Sequence, residues 1–217
     1  MTGQLFAIDG PSGSGKSTTA KLLARRLGLG YLDTGALYRA ATTEYLRQYP
    51  DGASQEDVVR LVEAADLVCE TSPDEPRFSI NGTDVTDEIR EPRISAAVSV
   101  VATNREVRRL LTEQMRRVID EHGRRIVVEG RDITTVVAPD ADVRVLLIAD
   151  PEARVARRAA EVAGKATQAE VTDQVLRRDR DDSTVSNFTD AAEGVVVLDS
   201  TFLSPDEVVD AIVALAD

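Results

Sequence analysis

The chain has 217 residues, 42% of them hydrophobic, enough to bury a core and to form one or two domains. Its formal net charge of −12 argues against a duplex-binding protein, which carries a basic footprint. Aromatic content of 4%, with no tryptophan, leaves little on which single-stranded bases could stack. One cysteine, Cys69, excludes an internal disulfide framework, and one histidine, His122, excludes a multi-histidine metal site. His122, in "RRVIDEHG", reads as a solvated residue in the charged tail of a helix. The N-terminus lacks the pattern of a signal peptide, and no apolar run approaches the ~20 residues of a membrane span. "NGT" at Asn81 and "NFT" at Asn187 match the glycosylation triplet, which means nothing without export. The expectation is a soluble cytoplasmic protein with no nucleic-acid partner.

Leu5 to Asp9 is a short apolar strand, followed by a glycine turn and a helix pattern from about Lys16 to Leu27. Gly28 and Gly30 end that helix, Tyr31 to Asp33 form a second short strand, and a helix covers Ala36 to Tyr49. "SQED" from Ser54 is a capping box that opens another helix, to about Asp66. Between Val68 and Arg90 the pattern changes to strand-like alternation with a hairpin signal at Asn81–Gly82, a small antiparallel insertion. Helical periodicity returns from about Pro92 to Glu121, as two helices broken near Thr103–Asn104. Ile126 to Val128 and Val143 to Ile148 read as buried strands, with helices from Pro151 and from about Ala169. "GVVVLDS" is the last strand, and Ser204-Pro205-Asp206-Glu207 starts a final capped helix. This alternation predicts an α/β fold with a central parallel sheet covered by helices on both faces.

Directly after the first strand, "GPSGSGKS" satisfies G-x-x-x-x-G-K-[ST], with a strand before it and a helix after. Glycines let such a loop wrap closely, so that successive N–H groups point at phosphate oxygens at a helix N-terminus. The predicted ATP-binding residues are Gly10, Pro11, Ser12, Gly13, Ser14, Gly15, Lys16, Ser17 and Thr18. Lys16 can reach the β and γ phosphates, and the Ser17 hydroxyl can ligate Mg²⁺. No base-reading "NKxD" of a GTPase is present. A short chain with one such loop and many helix-borne arginines fits a small-molecule phosphotransferase.

Several other segments carry candidate chemistry. "LDTGALYR" offers Thr34 and Arg39, "AAVSVVATNREVRRLL" offers Ser99 and Arg108, and "LRRDRDDS" offers further phosphate or ribose contacts. "IVVEGRDITTVV" puts Glu129, Arg131 and Asp132 at the end of an apolar run, where charges are costly unless partnered. Each has a plainer reading: an ion-paired turn for the last, helix-surface charge for Arg108 and Arg109, a packing role for Ser99, and a solvated helix face for "RRDRDD".

Taken together, "AIDGPSGSGKST", "YLDTGALYR", "NGTDVTDEIR", "SVVATNREVR", "VVEGRDITTVVAPDADV", "RRDRDDS" and "VVVLDST" resemble the bacterial cytidylate kinases, members of the nucleoside monophosphate kinases. The resemblance runs the length of the chain. It implies a core of residues 1–33, 103–150 and 184–217, an acceptor-binding region 34–102 with the insertion near 67–90, and a helical lid region 151–183. It implies transfer from ATP to CMP or dCMP with Mg²⁺, by a monomer, with Lys16, Arg131, Arg158 and Arg178 at the reacting groups. Arg39 and Arg131 would clamp the acceptor phosphate, with Thr34 beside them. Ser99, Arg108 and Asp132 would read cytosine, and Arg178 and Asp182 would contact ribose and phosphate. Glu129 would stand near Mg²⁺ or its waters, and Arg154, Arg157 and Arg158 would close over ATP. Two departures stand out: Glu129 where many members have aspartate, and Val185 where the family often has another phosphate-binding arginine.

Overall fold

The computed structural model describes residues 4–161, 179, 180, 184, 186 and 190–216. The helix predicted from Ala169, and the residues Arg178, Asp182 and Val185, lie outside the described residues.

Strand β1 (Gln4–Asp9) runs between β6 (Arg125–Gly130) and β7 (Val143–Ile148). With β2 (Gly30–Asp33) beyond β6 and β8 (Val196–Asp199) beyond β7, they form a five-stranded parallel sheet, order β2-β6-β1-β7-β8. Side chains alternate between its faces. Leu5, Ala7, Ile126 and Val128 pack under α2 (Thr34–Gln48), α3 (Gln55–Ala64) and α5 (Arg105–Glu121). Phe6, Ile8 and Val127 pack on the opposite side, under α1 (Lys16–Leu27) and α7 (Pro205–Val213). Both faces are apolar because both are covered, as expected of a parallel sheet.

Local chemistry sets the element ends. Helix α1 stops at Gly28, whose φ of 64° allows its N–H to return to the Ala24 and Arg25 carbonyls. Helix α2 starts at Thr34, ahead of the predicted Ala36, because the Asp33 carboxylate caps it by accepting from the Ala36 N–H at 2.9 Å. Helix α3 ends at Ala64, short of the predicted Asp66. The break between α4 (Pro92–Ala102) and α5 falls where expected, with the Asn104 side chain accepting from the Glu106 and Val107 N–H groups.

The insertion is a separate antiparallel sheet of β3 (Leu67–Cys69), β4 (Phe78–Ile80) and β5 (Thr83–Asp84). Asn81 and Gly82 join β4 to β5 with φ of 51° and 74°, the left-handed pair of a tight hairpin turn. His122 is half-buried, which corrects its reading as a solvated residue. Its Nε2 lies 2.5 Å from Thr71 Oγ1, and its Nδ1 lies 2.8 Å from the Val118 carbonyl, which can only accept. The ring therefore ties the chain after β3 to the end of α5.

Candidate active site

All five strands of the parallel sheet end on one side, the side where open α/β sheets bind their ligands. The loop from Gly10 to Ser17 turns there between β1 and α1. It is seated closely: a Cβ on Gly10 would meet the Leu147 carbonyl at 2.1 Å, and one on Gly13 would meet the Arg154 carbonyl at 2.5 Å. Gly13 also has a φ of 75°, which disfavours any side chain. The loop is thus held between the end of β7 and helix α6 (Pro151–Glu161). Lys16 folds back across it and donates to the Pro11 carbonyl at 2.8 Å. Ser14 is fully buried, and its hydroxyl has no hydrogen-bond partner among the described residues. Thr18 lies exposed in the first turn of α1.

Glu129 and Asp33 stand in register on neighbouring strands, at the ends of β6 and β2. Glu129 is buried and accepts from the Ser17 hydroxyl at 2.6 Å and from the Tyr31 hydroxyl at 3.3 Å. Burial and the Asp33 charge push the Glu129 carboxyl above its ordinary range, against the pull of Lys16, Ser17 and Arg39. Burial also acts to raise Asp33, but the Arg39 guanidinium, the Ala36 N–H and Arg90 outweigh it and hold this carboxyl low. Arg39 pairs with Asp33 at 2.8 Å. Thr34 is buried, its hydroxyl donating to the Glu129 carbonyl at 2.9 Å. Lys16, Ser17, Thr34, Arg39 and Glu129 are therefore brought together around one strand end.

Arg131 points at the loop. It donates to the Gly10 carbonyl at 2.6 Å and pairs with Asp179 at 2.9 Å. The three arginines of α6 divide their work. Arg154 is buried, donates to the Ser12 carbonyl at 3.0 Å and also pairs with Asp179. Arg157 reaches Ser14 and the turn at Ser200 and Thr201, donating to the Ser200 carbonyl at 2.6 Å. These contacts tie the phosphate loop to the turn after β8. Arg158, in the last turn of α6, is half-buried.

The base-reading candidates form a second group. Arg108 pairs with Asp132, donates to the Ala102 carbonyl at 3.0 Å, and stacks 5.7 Å from the Tyr38 ring centre. Ser99 sits half-buried on α4, its carbonyl accepting from the Thr103 hydroxyl at 2.7 Å. A cavity of about 510 Å³ opens beside Arg108 and Asp132, lined also by Arg105, Thr112, Val136 and Thr184. That volume lies in the range of small-ligand sites.

Three residues escaped the sequence reading. Asp33 was read only as the end of a strand, yet it holds Arg39. Asp9 is buried and accepts from the Ile133 N–H, the Thr134 N–H and the Thr134 hydroxyl at 2.8, 2.8 and 2.6 Å. It thereby fixes the five-residue π-helical turn Ile133–Val137, which follows Arg131 and Asp132. Asp179 was one acid among several in a charged run. Long-range contacts single out Asp9 and Asp179, whereas Asp33 acts within its own segment, capping α2 and pairing with Arg39 six residues on.

A strand, a glycine loop and a helix arranged in this way, with guanidinium groups from two other elements on the loop carbonyls, define a phosphate-loop phosphotransferase. Residues 6–217 match the family model described as cytidylate kinase, and the chain belongs to the cytidylate kinase family. A cytidylate kinase from Cutibacterium acnes is 53% identical over 212 residues, covering 97% of this chain and 95% of that protein. Another, from Caldanaerobacter subterraneus subsp. tengcongensis, is 44% identical over 210 residues, covering 94% of this chain and 91% of that protein. The crystal structure of an uncharacterized protein from Eubacterium ventriosum shares the fold, with a TM-score of 0.53 at 13% identity, covering 99% of this chain and 98% of that one. Among the described residues no helix is long and apolar enough to cross a membrane.

Proposed function

We propose that the chain transfers the γ-phosphoryl group of ATP to CMP, and to dCMP, giving ADP and CDP or dCDP. The observation that carries this reading is the placement of the Arg108–Asp132 pair beside the end of the strand that brings Glu129 to the phosphate loop. An aspartate can accept from the exocyclic amine of cytosine, whereas uracil presents a carbonyl to it. This favours a cytosine nucleotide over the acceptors of UMP/CMP, adenylate or shikimate kinases, and Ser99 belongs to the same reading. The family to which the chain belongs disfavours a nucleotide-binding protein without turnover.

In the reaction an oxygen of the acceptor phosphate attacks the γ phosphorus, and the bond from that phosphorus to the β,γ-bridging oxygen breaks. ADP leaves with the electron pair. The attacking oxygen is already anionic, so no catalytic histidine or cysteine is needed. The protein has to align two polyanions and neutralise the charge between them. Lys16, which donates to the Pro11 carbonyl with one of its three N–H groups, takes the β and γ oxygens. Arg39 and Arg131 clamp the acceptor phosphate, and Arg158 and Arg178 reach the transferring group. Arg178 and Asp182 contact the ribose and phosphate of CMP. Closure of the acceptor region and lid excludes water, which would waste ATP.

The residues present suit Mg²⁺. The Ser17 hydroxyl and the Glu129 carboxylate are hard oxygen donors 2.6 Å apart, with Asp33 in register beside them. Among the described residues no group of three or more His, Cys, Asp or Glu could hold a metal. Such a sparse set fits an ion that keeps waters and takes substrate phosphates as ligands. When bound, Mg²⁺ supplies charge neutralisation at the β and γ oxygens. The same reading takes the enzyme as a cytoplasmic monomer with no nucleic-acid partner.

The test is ADP release from Mg-ATP with CMP, dCMP, UMP, AMP or no acceptor. Stimulation mainly by CMP and dCMP is expected. Equal release without an acceptor would make the protein an ATPase and overturn the reading.

A further inference from the structure

Asp179 bridges the phosphate loop and two arginines from other segments. Its Oδ1 accepts from the Ser12 N–H at 3.0 Å and from Arg131 Nη2 at 2.9 Å, and its Oδ2 pairs with Arg154. These donors come from three separate segments: the phosphate loop, the turn after β6, and helix α6. Ser12 lies in the loop that takes the donor nucleotide. Arg131, on the reading above, takes the acceptor phosphate. One group in the reaction is common to donor and acceptor, and it is the phosphoryl being transferred.

Among the described residues, one guanidinium nitrogen beside this carboxylate is left over. Arg154 Nε is buried without a hydrogen-bond partner among the described residues, in a residue 8% exposed, and the hydroxyl of Ser14 in the phosphate loop is likewise buried and without one. Buried polar groups in a finished network are paired. A carboxylate offers two oxygens, whereas a transferring phosphoryl offers three equatorial oxygens with more charge. The arrangement therefore has more donor capacity than Asp179 uses.

We infer that Asp179 is an internal surrogate for the transferring phosphoryl group, holding Ser12, Arg131 and Arg154 in place until a triphosphate displaces it. Asp179 pairs with both the Arg131 and the Arg154 guanidinium groups in a largely buried space, with side chains only 14% and 10% exposed. Asp179 neutralises them and keeps the site formed. The γ phosphate brings its own negative charge, and two anions cannot share the cradle. ADP lacks that phosphate and leaves the carboxylate where it is. Asp179 is thus a positioning residue of the nucleotide-free enzyme and a competitor of ATP. This inference rests on the loop being an ATP site.

Calorimetric titration of the full chain with ADP and with the β,γ-methylene analogue of ATP tests it, using wild type, Asp179→Asn and Asp179→Ala. If the carboxylate fills the cradle about nine-tenths of the time, its loss tightens analogue binding about tenfold. ADP affinity should change by less than about threefold, since only the competent fraction for the γ phosphate is altered. Thermal unfolding without nucleotide should come earlier in both variants, and the gap should close with the analogue bound. Unchanged or weaker analogue binding, an equal gain for ADP, or a persisting gap would each overturn the inference. Wild-type affinity for ADP separately decides whether the loop is a nucleotide site.

Discussion

Two carboxyls in register, Glu129 and Asp33, are driven in opposite directions by their neighbours. Burial acts on both, but Asp33 has the Arg39 guanidinium at 2.8 Å, while at Glu129 the pull of Lys16 and the Ser17 hydroxyl falls short of burial and the like charge of Asp33. The pH dependence follows. Asp33 is more acidic folded than unfolded, so it contributes stability above its ordinary value of 3.8, lost as pH falls through the folded value. Removing Arg39 leaves burial dominant and reverses that sign. Arg39→Gln should therefore lose about 3 kcal/mol at neutral pH. Its stability should decline as pH rises above 4, where wild type does not lose the Asp33 contribution. Urea melts between pH 3 and 7 check this, and parallel curves for the two proteins would refute it. At the acceptor end, Asp132→Ala should cost CMP about 1–3 kcal/mol of discrimination over UMP. The ratio of kcat/KM for the two acceptors measures it, and full retained selectivity would remove Asp132 from base reading.

At the scale of elements, the turn after β6 decides where Arg131 and Asp132 point. It is a π-helical turn, a form found mostly as short insertions at functional sites. Asp9, at the end of the central strand β1, holds it with three hydrogen bonds. Burial pushes the Asp9 carboxyl above its ordinary range despite the three donors, so its presence is costly unless the turn needs it. Asp9→Ala would leave two buried N–H groups and a hydroxyl unpaired. A loss of about 3 kcal/mol in unfolding free energy is expected. The KM for CMP should also rise, because the turn would no longer hold Arg131 and Asp132. A variant that is destabilised yet keeps its KM would show that Asp9 serves the fold alone.

For the molecule as a whole, a net charge of −12 means that no global field draws nucleotides in. Binding must come from the few arginines gathered at the sheet edge, and the ligand must in turn stabilise that gathering. Ligand present at 100 times its Kd adds about 2.7 kcal/mol. For a chain of this size, each kcal/mol moves the midpoint of unfolding by about 2–4 °C. Saturating Mg-ATP should raise the midpoint by about 5–10 °C, CMP should raise it further, and UMP at the same concentration should add little. Differential scanning calorimetry reads all three, and an equal shift with UMP would contradict cytosine selectivity.

Much of this was legible in the chain because its physical cause is local. The phosphate loop is a contiguous string, its glycines are needed by its own backbone, and the elements around it follow from periodicity and caps such as Gly28 and Asn104. The hairpin at Asn81–Gly82 and the break at Thr103–Asn104 were legible for the same reason. Pairings between distant residues were not. Nothing near Asp33 says that it will stand beside Glu129, nothing near Asp9 says that it will fix a turn more than a hundred residues away, and His122 looked solvated until Thr71 met it. A carboxylate in a sequence has charge but no address. Strand order and register bring Asp33 beside Glu129 and Arg131 over Gly10, and the packing of α6 brings Arg154 to Asp179. The chain by itself determined which chemical groups are available and which local shapes they take. The tertiary structure decided which of them are partners, because burial makes partnership obligatory only where the fold has removed water.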